Sequence, residues 1–357
     1  MSTAPLIGEA FRCEEHDARE VLAELGRPAI MCVNDPPWTA FFAAHSGRIP
    51  EPMRVVHSWD MGIEHLAGVT TAIRADTDAD LLADSVVVGF GGGTALDTAK
   101  YLAWQLERPL IQVPTITSVD AGFTDAVGVR ADGRVRYVGR IVPELVVLDL
   151  ALVRSAPPSL NRAGIGDILS CHTGLFDWRL ATDAGHGPPW HDGLAALGAT
   201  LLDELDAAAD DIAAVSEAGV RFIADAYQRI GAACAWAGHS RFEEGSEHFW
   251  AYAYEHRTSA HPVHGEIIAF AVCALAHVQG NEPERACDIA VRSQVRAHPA
   301  DLAITEADFR SCLAGLAEYA RAEALDIGVA DLRPITSAQI DGAWSFVLGL
   351  PRFEDRR

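Results

Sequence analysis

Up to about residue 158 this chain alternates between two textures, and beyond that point the alternation stops. Short β-branched runs, PAIMCV (28–33), MRVVHSW (53–59), SVVVGF (85–90), LIQVPT (110–115) and LVVLDL (145–150), are separated by stretches with helical spacing such as TALDTAKYLAWQLE (94–107). Strands that recur with helices between them predict a parallel sheet covered by those helices. After SAPPSLNRAG (155–164) strand-like runs vanish and apolar residues recur at helical spacing, as in GLAALGATLLDELDAAADDIAAV (193–215) and GVRFIADAYQRIGAACAWAGHS (219–240). The twin prolines Pro157 and Pro158 mark the boundary. The expected organisation is an α/β domain over residues 1–158 and an all-helical domain over 159–357, with the tail PRFEDRR (351–357) frayed.

Composition narrows the function classes. A hydrophobic share of 49% with 22% charged residues is that of a folded soluble protein, and a formal net charge of −22 disfavours nucleic acid and anionic membranes as partners. The seven cysteines are dispersed with no CxxC spacing, which points to reduced thiols and a cytoplasmic setting. The first twenty residues lack a basic segment followed by an apolar run, so no signal peptide is expected. The most apolar segment, IIAFAVCALAHV (267–278), is too short to span a bilayer and reads as a buried helix.

Two features carry chemistry. VVVGFGGGTALDTAKYLA (86–103) is a strand, a glycine-rich turn and a helix. Glycines at 89, 91, 92 and 93 let backbone approach a ligand where a Cβ would collide, and the following helix N-terminus offers free N–H groups to a pyrophosphate. Thr94 and Asp97 have capping-box-like spacing there. The competing reading is a tight strand-to-helix turn without a ligand, since neither the usual GxGxxG nor a Walker loop is present.

The second feature is a candidate metal set. GIGDIL (164–169) carries Asp167, GSEHFWAYAYEH (245–256) carries His248, and HPVHGEIIAF (261–270) carries His264 at the opening of an apolar helix. One carboxylate and two imidazoles suit Zn²⁺ or Fe²⁺ with positions left open for substrate. With 14 histidines in the chain, the competing reading is that each is structural; only their combination with Asp167 favours a metal.

At these residues the chain resembles the superfamily of glycerol dehydrogenase, iron-containing alcohol dehydrogenases and dehydroquinate synthase, and within it the sn-glycerol-1-phosphate dehydrogenase branch. The resemblance rests on GFGGGTALDTAKYLA (89–103), VPTITSVDAGFTDA (113–126), PELVVLDL (143–150), APPSLNRAGIGDILSCHTGLFDWRLA (156–181), SRFEEGSEHFW (240–250) and HGEIIAF (264–270). It implies the dehydroquinate synthase-like fold, a Rossmann-like N-terminal domain and a helical C-terminal domain, with an active site in the cleft between them. It implies NAD or NADP with its pyrophosphate on Gly91, Gly92 and Gly93, contacts from Thr115, Ser118 and Thr124, and Asp120 beside the nicotinamide and substrate. It implies Asp167, His248 and His264 as ligands of zinc, or of iron. The implied reaction is hydride transfer between a small polyol or polyol phosphate and its ketone, with the metal acting on the substrate oxygen as a Lewis acid.

Three departures bear on substrate and cofactor. Cys171 lies one helical turn after Asp167, where iron-dependent relatives have a histidine and the glycerol-phosphate branch a lysine or asparagine; a small buried residue is favoured over a fourth ligand. Glu243 and Glu244 precede GSEH and would repel a phosphate if they face the site, so an unphosphorylated or amine-bearing polyol is expected, unless Arg162, Arg179 or Arg241 holds a phosphate. Asp35, after the first long strand, is the candidate for the adenosine ribose hydroxyls and would favour NAD over NADP, against an equal case for a plain loop aspartate.

Two alternatives remain: a dehydroquinate synthase-like sugar phosphate cyclase, and a non-catalytic NAD- or metal-binding homologue. The first needs basic residues around a phosphorylated substrate, and Lys100 is the chain's one lysine. A small-molecule substrate and a homo-oligomer are the expected partners.

Overall fold

The computed structural model describes residues Arg12–Phe353, so the reading of the first eleven residues and of the last four of the tail lies outside the described part. The chain divides into two compact units. One runs up to Ala156 and takes in Tyr227–Trp236; the other begins at Pro157 and excludes that segment.

The first unit is built on a six-stranded sheet. Its strands are β1 (Cys13–Glu15), β2 (Ala29–Val33), β3 (Arg54–His57), β4 (Val86–Gly91), β5 (Leu110–Pro114) and β8 (Leu145–Leu148). They lie in the order β1-β8-β5-β4-β2-β3, and every neighbouring pair is parallel. The helices are α1 (Ala18–Ala23), α2 (Pro37–Ala44), α3 (Ile63–Asp76), α4 (Ala79–Ala83), α5 (Gly93–Leu106) and α6 (Leu150–Arg154). Alternate residues of each strand point to opposite faces. Ile30, Cys32 and Val87 pack on one side with Leu66 of α3 and Leu102 of α5. Met31, Val33, Val88 and Phe90 pack on the other with Leu22 of α1 and Trp38 and Phe41 of α2. Both faces are covered, which is why these strands read as unbroken apolar runs.

All five expected strands form; β4 keeps the expected length shifted by one residue, and the others are shorter at their ends. Three were not expected. β1 has only three residues, too few for a periodic signal. β6 (Ala126–Ala131) and β7 (Arg134–Arg140) make an antiparallel hairpin whose turn residues Asp132 and Gly133 both have positive φ. An Asp-Gly pair between alternating runs is a hairpin signature that was present in the sequence.

The second unit is helical: α7 (Pro158–Arg162), α8 (Ile165–Leu169), α9 (Cys171–Asp183), α10 (Asp192–Ala213), α11 (Glu217–Ala237), α12 (Ser246–Thr258), α13 (His264–Gln279), α14 (Pro283–Arg292), α15 (Glu306–Ala314), α16 (Leu316–Ala322), α17 (Val329–Leu332) and α18 (Ser337–Leu348). Tyr227–Trp236 of α11 cluster with the first unit. The centre is α13, whose residues 265–276 are all buried, with α8, α9, α12, α14 and α18 packed around it. That accounts for its apolar character on every side. Among the described residues no helix is long and apolar enough to cross a membrane, and all seven cysteines are free thiols.

Candidate active site

Three helix segments deliver the candidate metal ligands to one point. Asp167 lies on the short helix α8, His248 in the first turn of α12, and His264 opens α13. Asp167 Oδ1 is 3.1 Å from His264 Nε2 and 3.8 Å from His248 Nε2. One ligand atom from each residue lies within 4.8 Å of the other two, and among the described residues this is the one such group. Asp167 and His248 are buried, whereas the His264 side chain keeps 30% of its surface exposed. Access to the set is therefore at His264, and a site that admits substrate needs such access.

Glycine makes the convergence possible. A Cβ on Gly166 would lie 2.4 Å from the Gly265 carbonyl oxygen and 2.5 Å from its Cα. Backbone therefore touches backbone where α8 meets the start of α13, and the residues adjoining those two glycines are Asp167 and His264. A second pair acts on the other side: a Cβ on Gly245, the N-cap of α12, would lie 3.0 Å from Gly174 Cα on α9. Each ligand is thus one to three residues from a glycine at a close helix contact, a signal that sequence reading passed over.

The electrostatics favour a cation. Desolvation disfavours a charged His248, but the Glu247 hydrogen bond and the carboxylates of Glu244, Glu247 and Asp167 outweigh it and raise its pKa to about 10. Desolvation likewise opposes charge on His264, and Asp167 overcomes it to raise that pKa too. A carboxylate oxygen facing two imidazole nitrogens in a buried, negatively charged pocket is satisfied by protons or by a metal ion. The carboxylate–imidazole donor set fits Zn²⁺ or Fe²⁺.

Cys171 is not part of that set. Burial foremost, then Glu243, Glu247 and Asp167, push its thiol well above the ordinary value, and metals bind the thiolate. Its Cβ lies 3.6 Å from where a Cβ of Gly198 on α10 would stand, so it fills the α9–α10 contact.

Glu247 and Asp177 are functional candidates that sequence reasoning did not single out. Glu247, fully buried, accepts a hydrogen bond at Oε1 from Gly245 N (2.6 Å), and the same oxygen lies 3.0 Å from His248 Nδ1. Asp177, also fully buried, accepts from Ser246 N (2.7 Å) and Val329 N (2.8 Å), so one carboxylate caps the starts of both α12 and α17.

In the first unit the glycine turn closes β4 and opens α5. The structure corrects the expected capping box: the N-cap is Gly92, with no side-chain cap, so Thr94 is already inside the helix. Thr94 Oγ1 instead accepts from Asn34 Nδ2 (2.9 Å), and the Asp97 carboxylate pairs with Lys100 Nζ (2.8 Å). Asn34, not anticipated, braces the turn, since its Oδ1 accepts from Gly92 N (2.9 Å) and would meet a Cβ on Gly91 at 2.4 Å. Its signal was its place at the end of β2, the strand beside β4.

The loop carrying Thr115, Ser118, Asp120 and Thr124 packs on the same turn. Thr115 N donates to Gly91 O (2.9 Å), and Cβ atoms on Gly92 and Gly93 would each meet that loop at 2.8 Å, at Ile116 and Val119. Asp120 starts a short 3₁₀ turn, Asp120–Phe123, which is seated against Gly231 of α11, where a Cβ would strike Phe123 O. Thr124 Oγ1 accepts from Lys100 Nζ (3.2 Å). Asp35, next in sequence to Asn34, has its carboxylate held by His57 Nδ1 (2.6 Å) and Thr39, with the Thr39 hydroxyl foremost in lowering its pKa.

Residues 54–157 match the iron-containing alcohol dehydrogenase family. Over 216 residues the chain is 30% identical to glycerol-1-phosphate dehydrogenase [NAD(P)+] of Hyperthermus butylicus, a stretch covering 60% of this chain and 62% of that relative. Among solved structures, a probable glycerol dehydrogenase from Sinorhizobium meliloti 1021 superposes with a TM-score of 0.69 at 22% identity, over 95% of this chain and 96% of its own. An iron-containing alcohol dehydrogenase from Corynebacterium glutamicum gives a TM-score of 0.69 at 14% identity, over 96% and 95%. The chain has the iron-containing alcohol dehydrogenase fold. The resemblance read from its motifs therefore holds in sequence and in architecture, although the aligned stretch spans less than two thirds of that curated relative.

Proposed function

We propose that this chain is a metal-dependent, NAD(P)-linked oxidoreductase that interconverts a small polyol and its ketone. The observation that carries the reading is the convergence of Asp167, His248 and His264 within 4.8 Å. The similarity to glycerol-1-phosphate dehydrogenase [NAD(P)+] supports the reaction class and the cofactor.

In this reading Asp167, His248 and His264 hold Zn²⁺ or Fe²⁺, which supplies Lewis acidity toward an alcohol or carbonyl oxygen. Gly91, Gly92 and Gly93 form the turn at the start of α5 that takes the dinucleotide pyrophosphate, with the Gly92 N–H already engaged by Asn34 Oδ1. Thr115, Ser118 and Thr124 line the cofactor's path, Asp120 stands at the nicotinamide, and Asp35 takes the ribose hydroxyls. Asp97, salt-bridged to Lys100, supports the turn from within α5. The chain acts on a small-molecule substrate, in the cytoplasm, as a homo-oligomer.

The substrate is unphosphorylated. Glu244 is held by Ser240 Oγ (2.6 Å) and Tyr252 Oη (2.9 Å), and the Tyr252 and His248 rings lie 6.0 Å apart, so a fixed carboxylate flanks a metal ligand. The three arginines that would serve a phosphate are engaged elsewhere. Arg241, 1% exposed, donates to Ile327 O and Glu244 O; Arg162 donates to Ala213 O; Arg179 pairs with Asp183 and stacks over Trp190. Initial rates with dihydroxyacetone and dihydroxyacetone phosphate test this: a strong preference for the phosphate refutes an unphosphorylated substrate, and no polyol-dependent change in NADH absorbance refutes the dehydrogenase.

A further inference from the structure

His248 has two ring nitrogens, and only one can point at the metal position. Its Nε2 is the atom near Asp167 Oδ1, at 3.8 Å, while Nδ1 lies 3.0 Å from Glu247 Oε1. Glu247 is the residue immediately before His248 on α12, and its side chain is completely buried. A carboxylate removed from water at this depth is unfavourable unless its partners compensate. Oε1 also accepts from Gly245 N at 2.6 Å, which fixes the carboxylate to the backbone at the start of the helix. Among the described residues Oε2 has no hydrogen-bond partner.

The support extends one residue further. A Cβ on Gly245 would lie 2.8 Å from Asp177 Oδ2 and 3.1 Å from Glu247 Oε2, so both carboxylates crowd the position that this glycine leaves open. Asp177 holds Ser246 N and Val329 N. The first turn of α12 is therefore clamped by two buried acids, one on its backbone and one on its histidine.

We propose that Glu247 is the positioning residue of the metal centre: it accepts the Nδ1 proton of His248, so that Nε2 is left as the ligand atom, and its negative charge strengthens that nitrogen as a donor. The inference rests on the metal reading of Asp167, His248 and His264. A ligating histidine whose other nitrogen donates to a carboxylate is fixed in tautomer and orientation and is more basic, and loss of such a partner weakens metal binding by about 10- to 100-fold. Glutamine at 247 keeps an acceptor oxygen for Gly245 N and His248 Nδ1 while deleting the charge, which separates electrostatic support from packing.

The experiment is a Zn²⁺ titration against a competing chelator, on the whole chain, for the wild type and Glu247→Gln, with the thermal midpoint of each metal-free protein and the visible spectrum of each Co²⁺-loaded protein. The expected result is a dissociation constant raised about 10- to 100-fold, a changed Co²⁺ spectrum, and a metal-free midpoint no lower than that of the wild type. If the wild type takes up no metal, the metal reading fails and this inference with it. If the wild type binds and Glu247→Gln binds equally well, Glu247 does not position the ligand and the metal reading stands. Should Glu247→Gln not fold, Glu247→Asp, which keeps the charge on an arm shorter by one methylene, is measured in the same way; unchanged affinity overturns the inference there too.

Discussion

Replacing Gly166 by alanine tests whether a backbone contact sets the metal geometry. The new methyl would lie 2.4 Å from the Gly265 carbonyl oxygen, where ordinary contacts begin at 3.4 Å, so α8 and the start of α13 must separate by about 1 Å. Nothing flexible yields, because the opposing atoms are backbone. Two effects compete. Alanine in place of glycine within a helix gains up to about 1 kcal/mol. Overpacking costs about 1–3 kcal/mol, so after the full helix gain the fold still loses up to about 2 kcal/mol. The larger consequence falls on the residues next door. Asp167 and His264 approach to 3.1 Å, and metal–ligand distances tolerate only about ±0.2 Å. An opening of about 1 Å exceeds that tolerance several-fold. The expected outcome is a folded protein of reduced thermal midpoint whose Zn²⁺ affinity, measured by chelator competition, falls by about 100-fold or more. Wild-type affinity in a folded Gly166→Ala protein would refute the argument that this glycine contact sets the site.

Three further outcomes follow from the same geometry. Gly91→Ala places a methyl 2.4 Å from Asn34 Oδ1 and 2.8 Å from Ala95 Cβ, so the KM for the dinucleotide should rise about tenfold or more while metal content is unchanged; an unaltered KM would remove the turn from the cofactor site. Burial, with the nearby Glu247 charge, raises the pKa of Asp177 to about 6, so the folded state holds this proton more tightly than the unfolded chain and its contribution is lost as pH rises from about 4 through 6. Urea unfolding of wild type against Asp177→Asn should therefore show the wild type losing about 2 kcal/mol relative to the variant between pH 4 and pH 7, since each tenfold difference in proton affinity between the two states is worth about 1.4 kcal/mol and part of the titration lies below pH 4; parallel pH profiles would contradict it. Glu244→Gln should raise the rate with a phosphorylated ketone relative to its unphosphorylated counterpart, and an unchanged ratio would exclude Glu244 from substrate selection.

The sheet was legible because its strands are buried on both faces and so appear as apolar runs that stand out from the polar segments between them. The long helices were legible for the opposite reason, since α10 and α11 alternate buried and exposed faces at helical spacing. The three-residue β1 was too short to leave a pattern, whereas the Asp132–Gly133 hairpin left one that was overlooked. The capping expectation failed because the N-cap is Gly92, two residues before Thr94, so the threonine sits within the first turn. At the site, residue chemistry and family motifs pointed to Asp167, His248 and His264, but nothing in their spacing reports the convergence. That convergence depends on glycines whose role is visible only when the opposing backbone is in view. Glu247 and Asp177 escaped notice because a buried acid and a solvated one look alike in a sequence with 50 acidic residues.

Elemental analysis of the purified chain, run alongside Asp167→Asn, decides whether the carboxylate and the two imidazoles form a working metal centre. One Zn²⁺ or Fe²⁺ per wild-type chain, lost together with dehydrogenase activity in the variant and on chelation, is the predicted result. A wild-type chain that oxidises polyol with no metal bound, or an Asp167→Asn protein that keeps its full complement, would contradict it.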